Sequence, residues 1–101
     1  MSTSNSNATR AGSGEIIALI PAYNEARYIA NVVQSAAKHL PVVVVDDGSS
    51  DGTGGAAALA GAKVISHGRN QGKGKALLTG FDYAIQRGVD AAITLDADGQ
   101  H

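Results

Sequence analysis

The sequence has no cysteine and only three histidines among its 101 residues. The lack of cysteine excludes disulfides, zinc-thiolate sites and thiol nucleophiles, and it fits a reducing compartment. His39, His67 and His101 lie in different segments, which argues against a histidine metal cluster. We interpret His39 and His67 as surface or helix-end residues and assign them no role in function.

Charge of either sign and long apolar runs are also scarce. The formal net charge is -1, so the chain has no basic field that would attract nucleic acid or anionic lipid. The longest apolar runs, residues 16–20 and 42–45, are far shorter than the ~20 residues of a membrane-spanning helix. We therefore expect a cytoplasmic chain that binds a small molecule and no nucleic acid.

Residues 1–14 are mostly Ser, Asn, Thr and Gly. They lack the apolar segment of a secretion signal, so we predict a disordered leader over 1–14. The rest, residues 15–101, is short enough to form one domain at most. The hydrophobic content of the whole sequence, 44%, is typical of a globular protein.

Short apolar runs rich in branched residues predict four strands. These runs cover residues 16–20, 42–45, 63–66 and 91–95, and Pro21 is expected to end the first strand. Apolar residues at helical spacing follow the first strand, and Asn24 is expected to cap this helix with Glu25 in its first turn. An alanine-rich stretch around 56–60 predicts a second, weak helix.

A third helix is predicted to end at Gly88. Its apolar face is expected to contain Ala76, Leu77, Phe81, Ala84 and Ile85. Strands and helices then alternate without interruption, and right-handed crossovers make such a chain a parallel sheet. We predict a doubly wound, Rossmann-like α/β fold of about four parallel strands with helices on both faces.

Polar motifs follow each predicted strand. In an open parallel sheet, ligands bind beyond the carboxyl ends of the strands, close to the point where the strand order reverses. All four motifs are therefore expected at one edge of the sheet. They are Tyr23, Asn24 and Glu25, then Asp46 and Asp47, then residues 69–75, and finally Asp96 and Asp98.

Two of these motifs are acidic. Asp96 and Asp98 are two residues apart at a strand exit, close enough to share a hard cation such as Mg²⁺ or Mn²⁺, although a solvated acidic turn is the alternative. Asp46 and Asp47 leave an all-valine strand and could accept N–H donors from a nucleobase or a ribose hydroxyl. Their alternative is an Asx-type turn with helix capping nearby.

The segment 68–75 combines glycines with basic residues directly before a helix. Free backbone amides and cations at a helix N-terminus suit a phosphate group. The segment lacks the spacing of a Walker loop, and a flexible solvated loop is the alternative.

Four ordered motifs resemble family 2 glycosyltransferases. They are PAYNE at 21–25, VVVVDDGSSDGT at 42–53, NQGKGKAL from residue 70 and TLDADGQH at 94–101. The last motif is most similar to the branch that includes dolichyl-phosphate mannose synthase and other polyprenyl-phosphate sugar transferases. The resemblance covers nearly everything from Glu15 to the last residue.

The resemblance implies a GT-A fold that binds a UDP- or GDP-linked sugar and transfers the sugar with inversion. Asp47 would contact the base from the wall of the nucleotide pocket, and Asp46 would support that wall. Asp96 would bind both the diphosphate and the metal, and Lys73 would lie near the nucleotide sugar. The implied nucleotide pocket is lined by Pro21, Ala22, Tyr23 and Glu25, and the implied ligands of Mg²⁺ or Mn²⁺ are Asp96, Asp98 and Gln100.

The resemblance also implies which functions this chain lacks. In the family, the general base and the acceptor surface come after the metal motif, so we expect a domain truncated there that binds nucleotide without turnover. The acceptor would be a polyprenyl phosphate, and a longer form would be membrane-associated. We also expect the last strand to present an apolar edge through which copies self-associate.

Two other classes of protein lack their required motifs in this sequence, and a third class remains open. A receiver-type phosphoacceptor domain would carry its acidic pair after the first strand, where Pro21 and Ala22 stand instead. A dinucleotide-dependent dehydrogenase would need a G-x-G-x-x-G turn there, which is absent. A non-catalytic nucleotide-binding or structural fragment remains open, because the residues that would distinguish it lie downstream.

Overall fold

The computed structural model describes residues 14–97, which form seven elements in strict alternation. The strands are β1 (Ile16–Ala22), β2 (Val42–Asp46), β3 (Lys63–Ser66) and β4 (Ala91–Thr94), and the helices are α1 (Ile29–Ala37), α2 (Thr53–Leu59) and α3 (Lys73–Arg87). Apart from Gly14, the predicted leader lies outside the described residues. None of the helices described between residues 14 and 97 is long and apolar enough to cross a membrane.

The four strands form one parallel sheet in the order β3-β2-β1-β4. The chain runs outward from β1 through β2 to β3, and then returns to the other side of β1 to form β4. Strand order therefore reverses between β1 and β4, and this is where a doubly wound sheet opens a crevice at its carboxyl edge.

Helices cover both faces of the sheet, as predicted. Val42 and Val44 of β2 pack with α1 and α2 on one face, while Val43 and Val45 pack with α3 on the other. Right-handed connections require this division, because the crossover that contains α3 runs in the opposite direction to the two before it. The valine run of β2 is buried throughout because it lies between two helical layers.

The prediction that Pro21 ends the first strand is wrong, because β1 continues to Ala22. Pro21 is in register with Val45 of β2, whereas β4 ends at Thr94, opposite Leu19. On its β4 side, Pro21 is therefore at a sheet edge, where a residue without an N–H is tolerated. β4 also ends one residue earlier than predicted.

The predicted start of the first helix is also wrong. Asn24 adopts a left-handed conformation with φ of 52°, and Tyr28 occupies the N-cap position of α1. A turn intervenes in which the N–H groups of Tyr28 and Ile29 both donate to the carbonyl of Glu25. Glu25 therefore lies ahead of the helix, and no acidic residue is in its first turn.

Helix α2 begins at Thr53, three residues earlier than predicted, and so includes Gly54 and Gly55. A side chain at Gly54 would meet the sheet, since an added Cβ would lie 2.6 Å from Oδ2 of Asp46. The glycine weakens the helix but allows it to approach the end of β2 closely. Packing therefore outweighs local helix propensity at this position.

A narrow stripe of small residues on α3 packs against the sheet. Ala76, Gly80 and Ala84 are buried, whereas Phe81 and Ile85 are 39% and 75% exposed. The prediction that both large residues share the packed face is therefore wrong. The small stripe brings the helix axis close to β1, and the larger side chains are left at the flank.

We predict that Gly80→Ala destabilises the fold by about 1–3 kcal/mol, the usual range for overpacking. The added Cβ would lie 2.3 Å from Cδ1 of Leu19, whose side chain is fully buried. Gly74→Ala is the matched control, because its Cβ would meet nothing within 4 Å in the same helix and alanine favours helix. Urea unfolding should separate the two variants, and equal midpoints would contradict the close approach.

Among the described strands, β4 pairs only with β1 and is therefore an edge strand. Ile93 on this strand is 49% exposed. The self-association expected at this edge stays a prediction, which light scattering can test.

Candidate functional site

A cavity of about 320 Å³ lies at the carboxyl edge of the sheet, beside the point where strand order reverses. Segments that follow β1, β2, β3 and β4 all contribute to its wall. The lining residues are Pro21, Ala22, Tyr23, Glu25, Asp47, Asn70, Lys73, Ala76, Asp96 and Ala97. The four polar motifs thus converge as the parallel topology requires.

Seven of the ten lining residues were singled out from the sequence, and three were not. Asn70 belongs to the polar segment before α3, and that segment was the only signal for it. Ala76 and Ala97 carry no chemical signal, because their contribution is space and not a functional group. Asp98 and Gln100, two of the three predicted metal ligands, lie outside the described residues.

Asp47 is the most highly bonded side chain of the site. Its carboxylate is buried, with a side-chain exposure of 3%, and it accepts four hydrogen bonds, two on each oxygen. Oδ1 accepts from Nδ1 of His67 at 2.6 Å and from the N–H of Gln71 at 2.9 Å. Oδ2 accepts from Nδ2 of Asn70 at 3.0 Å and from the N–H of Gly72 at 2.8 Å.

These contacts use all the ordinary acceptor sites of a carboxylate. A base that bonds directly to Asp47 would therefore have to replace one of the four donors. Of the two side chains that donate to Asp47, Asn70 belongs to an exposed residue, whereas the side chain of His67 is 8% exposed. The predicted base contact of Asp47 stays a prediction.

The hydrogen bonds to Asp47 favour its charged form. Burial is the largest single influence on its pKa and acts to raise it. The bond and charge of His67, together with the two backbone donors, outweigh burial and hold the pKa of Asp47 below its ordinary value of 3.8. Asp47 is thus an anion at neutral pH despite its burial.

His67 is not the surface residue that the sequence suggested. Its side chain is only 8% exposed and lies between two partners. Nδ1 contacts Asp47, and Nε2 lies 2.9 Å from Oγ1 of Thr79 on α3. No sequence signal distinguishes this histidine, because Thr79 and Asp47 are distant along the chain.

Asp46 lies behind the cavity wall and not on its surface. It is 9% exposed, and its Oδ1 accepts the N–H of Ser49 at 3.1 Å. This local bond from side chain to backbone spans three residues at the end of β2, and it belongs to the structural alternative noted for the acidic pair. The position suits a supporting residue, and that predicted role stays a prediction.

The β1–α1 and β2–α2 loops are fastened together by side chains. Oδ1 of Asn24 accepts the N–H of Ser50 at 2.9 Å, while the N–H of Asn24 donates to Oγ of Ser49 at 2.8 Å. The buried Oγ1 of Thr53 accepts the N–H of Glu25 at 2.9 Å. We call this set of contacts the loop clasp. It explains the left-handed Asn24, whose side chain is needed here and not at a helix start.

Gly48 lies where the β2–α2 loop meets the β3–α3 loop. It has a φ of +75°, and an added Cβ would lie 2.3 Å from the backbone carbon of Arg69 and the backbone nitrogen of Asn70. Both the conformation and the space require glycine at this position. This close approach sets the distance between Asp47 and its loop donors.

Lys73 reaches across the cavity to the end of β4. Its Nζ lies 3.1 Å from Oδ1 of Asp96, with side chains 66% and 57% exposed. The first bond of α3 runs from the N–H of Ala76 to the carbonyl of Gly72. The N–H groups of Lys73, Gly74 and Lys75 precede that bond, so the helix supplies no acceptor for them.

A divalent cation would find one predicted ligand among the described residues. Asp96 presents an exposed carboxylate at the cavity rim, and its hard oxygen atoms fit Mg²⁺ or Mn²⁺. Between residues 14 and 97, no group of three or more His, Asp or Glu side chains could hold a metal. The structure therefore describes one predicted ligand, and a complete set would need residues beyond 97.

Known proteins are similar to this chain in sequence. A UDP-N-acetylglucosamine–dolichyl-phosphate N-acetylglucosaminyltransferase of Methanococcus voltae is 38% identical over 85% of this chain and 42% of its own length. A polyprenol monophosphomannose synthase of Mycolicibacterium smegmatis is 39% identical over 84% of this chain and 36% of its own. The chain thus spans well under half the length of these relatives.

A solved structure shows the same architecture. Glucosyl-3-phosphoglycerate synthase of Mycobacterium tuberculosis, in complex with Mn²⁺, UDP and glucosyl-3-phosphoglycerate, superposes with a TM-score of 0.69 and 27% identity. The match covers 90% of this chain and 34% of that one. The predicted Rossmann-like GT-A architecture is confirmed. The sequence model of the family described as glycosyl transferase family 2 matches residues 17–101, and the chain belongs to that family.

Proposed function

We propose that residues 15–101 are the nucleotide-sugar-binding part of a glycosyltransferase domain, preceded by a leader over 1–14. The donor is a UDP- or GDP-linked sugar, and the acceptor is a polyprenyl phosphate. The main support is the convergence of seven residues, singled out from the sequence, around one cavity at the switch point. The names of the two curated relatives, both transferases of polyprenyl-type substrates, support the acceptor.

The nucleoside would occupy the part of the cavity between β1 and β2. Tyr23 is 48% exposed at the rim, where its ring can pack against a base. Pro21, Ala22, Glu25 and Asp47 complete this wall, and Asp46 would support it from behind. The loop clasp holds the wall in place, because Asn24 and Thr53 tie both adjacent loops together.

The diphosphate would lie between α3 and the end of β4. Lys73 supplies an ammonium group there, and the first amides of α3 are acceptor-free within the helix. Asp96, with Asp98 and Gln100, would hold Mg²⁺ or Mn²⁺, which would neutralise the charge on the departing diphosphate. The Mn²⁺ and UDP in the mycobacterial synthase structure support this assignment.

Transfer would invert the anomeric centre: the acceptor oxygen bonds to the anomeric carbon as the bond to the diphosphate oxygen breaks. Such attack needs a general base, which we place outside residues 14–97. We accordingly expect the 101-residue chain to bind nucleotide without turnover. We also propose that a longer form is membrane-associated, which would bring the domain to its polyprenyl-phosphate acceptor.

Calorimetry with UDP and GDP, each with and without Mn²⁺, tests the proposed function. We expect binding that strengthens with Mn²⁺, and we expect Lys73→Met to weaken it about tenfold, as for loss of a hydrogen bond to a charged group. Lys75→Met is the matched control, because Lys75 is an exposed cation in the same helical turn but not in the cavity wall. Absence of nucleotide binding, or equal losses in both variants, would contradict the proposal.

A further inference from the structure

His67 joins three parts of the structure through hydrogen bonds of its side chain. It follows β3, contacts Asp47 at the end of β2 through Nδ1, and contacts Thr79 on α3 through Nε2. A carboxylate at neutral pH can only accept, so Nδ1 carries the proton and donates to Asp47. Nε2 lies within hydrogen-bonding distance of the hydroxyl of Thr79, which can donate or accept.

These contacts close a ring. Thr79 bonds to His67, His67 to Asp47, and Asp47 to the N–H of Gly72, the N-cap residue of α3. The two attachment points on α3 are separated by about 10 Å along the helix axis, at 1.5 Å per residue from 72 to 79. Two fixed points on one rigid helix restrict both its sliding and its tilt relative to β2.

The ring determines where the diphosphate-facing groups lie. Lys73 directly follows Gly72, so its backbone and side chain take their position from the bond between Gly72 and Asp47. Gln71 is fixed by the other carboxylate oxygen. If the Asp47 carboxylate rotated, both loop amides would lose their acceptor together, and the start of α3 would be free to shift.

We propose that His67 is a positioning residue of the nucleotide pocket. It holds the Asp47 carboxylate in the orientation that fixes residues 71–72 and thereby places Lys73 for the diphosphate. His67 itself does not line the cavity and acts through Asp47. This inference rests on the proposed nucleotide-binding function.

Two substitutions at this site separate positioning from packing. Asparagine places its amide N–H₂ near the position of Nδ1, so His67→Asn retains a donor to Asp47. Glutamine places its amide near Nε2, so His67→Gln retains a partner for Thr79 and loses the bond to Asp47. We expect the nucleotide dissociation constant of the 101-residue chain to rise about tenfold for His67→Gln and to stay within about twofold for His67→Asn, tenfold corresponding to 1.4 kcal/mol.

Amide hydrogen exchange without nucleotide supplies a second readout. In the unchanged chain, the N–H groups of Gln71 and Gly72 should exchange slowly for a surface loop, because Asp47 accepts from both. His67→Gln should speed exchange at these two amides and leave the β1 and β2 amides unchanged. Thr79→Val removes only the bond between Thr79 and Nε2 of His67, so it should increase the exchange rate of the two amides less. This variant replaces His67→Gln in the experiment if His67→Gln does not fold.

The outcomes are distinguishable. Equal nucleotide binding by the unchanged chain and His67→Gln would overturn the positioning role alone. Equally weak binding by the Asn and Gln variants would also overturn it, since packing and not the Asp47 bond would then matter. Fast exchange of the Gln71 and Gly72 amides in the unchanged chain would also overturn the positioning role. No nucleotide binding by the unchanged chain would instead refute the proposed function, and the inference with it.

Discussion

Asp47→Asn is expected to destabilise the folded chain by about 3 kcal/mol or more, because hydrogen bonds to a charged group contribute about 1.5–3 kcal/mol each and two of them are disrupted. The substitution preserves shape but replaces one acceptor oxygen by an N–H₂ group. That group would face donors in either orientation, His67 and Gln71 on one side or Asn70 and Gly72 on the other. Urea unfolding at neutral pH measures the loss, and nucleotide binding should fall below detection.

Asp82→Asn is the matched control for Asp47→Asn. It removes the same charge from an exposed position on α3, where the carboxylate contacts only Gln86 at 3.2 Å among the bonds described. A surface contact of this kind contributes within about 0.5 kcal/mol. Similar unfolding midpoints for the two variants would contradict the structural importance of the Asp47 carboxylate.

The pH dependence of unfolding gives an independent check on Asp47. Because its folded-state pKa lies below the ordinary 3.8, the stability it contributes is fully present above that value. This stability is lost as the pH falls from 3.8 through the lower folded-state pKa. Asp47→Asn should therefore remove part of the acid destabilisation in this window, whereas Asp82→Asn should leave it intact.

Gly48→Ala is expected to destabilise the chain by about 2–5 kcal/mol. Left-handed strain costs a non-glycine residue about 1–2 kcal/mol, and overpacking adds about 1–3 kcal/mol. The overpacking is against backbone atoms of Arg69 and Asn70 at 2.3 Å, which no rotamer change can relieve. Nucleotide affinity should fall as well, since the β3–α3 loop would be pushed away from Asp47.

Gly52→Ala separates strain from crowding. Gly52 has a φ of +86°, close to that of Gly48, but its added Cβ would meet nothing within 4 Å. It should therefore show only the conformational cost, about 1–2 kcal/mol. Chemical unfolding gives the free energy of unfolding of both variants, and the difference between them is the contribution of the contact between the β2–α2 and β3–α3 loops. A difference near zero would mean that these two loops do not touch in solution.

The sequence predicted the layers and the binding edge well, because both follow from patterns that are local. The valine run of β2 could only be a doubly buried strand, and strict alternation of elements leaves few topologies. Polar residues placed after each parallel strand must then meet at one edge. The position of the cavity at that edge could therefore be predicted without knowledge of side-chain contacts.

The errors came from interactions between distant residues. Asn24 has the chemistry of a helix cap, but Ser49 and Ser50 from another loop engage it instead. Pro21 would end a strand that is paired on both sides, but here the neighbour on one side stops short of it. His67 looked like a surface residue because its two partners lie 20 and 12 positions away along the chain.

The loop clasp has a consequence for ligand discrimination. Its bonds join one part of the protein to another, so a ligand entering the cavity meets a wall that is already ordered. Binding then loses little loop entropy, and more of the contact energy appears as affinity. The same rigidity penalises a ligand of the wrong outline, because a fastened wall cannot reshape itself around it. Such a wall selects ligands by shape before any chemistry begins.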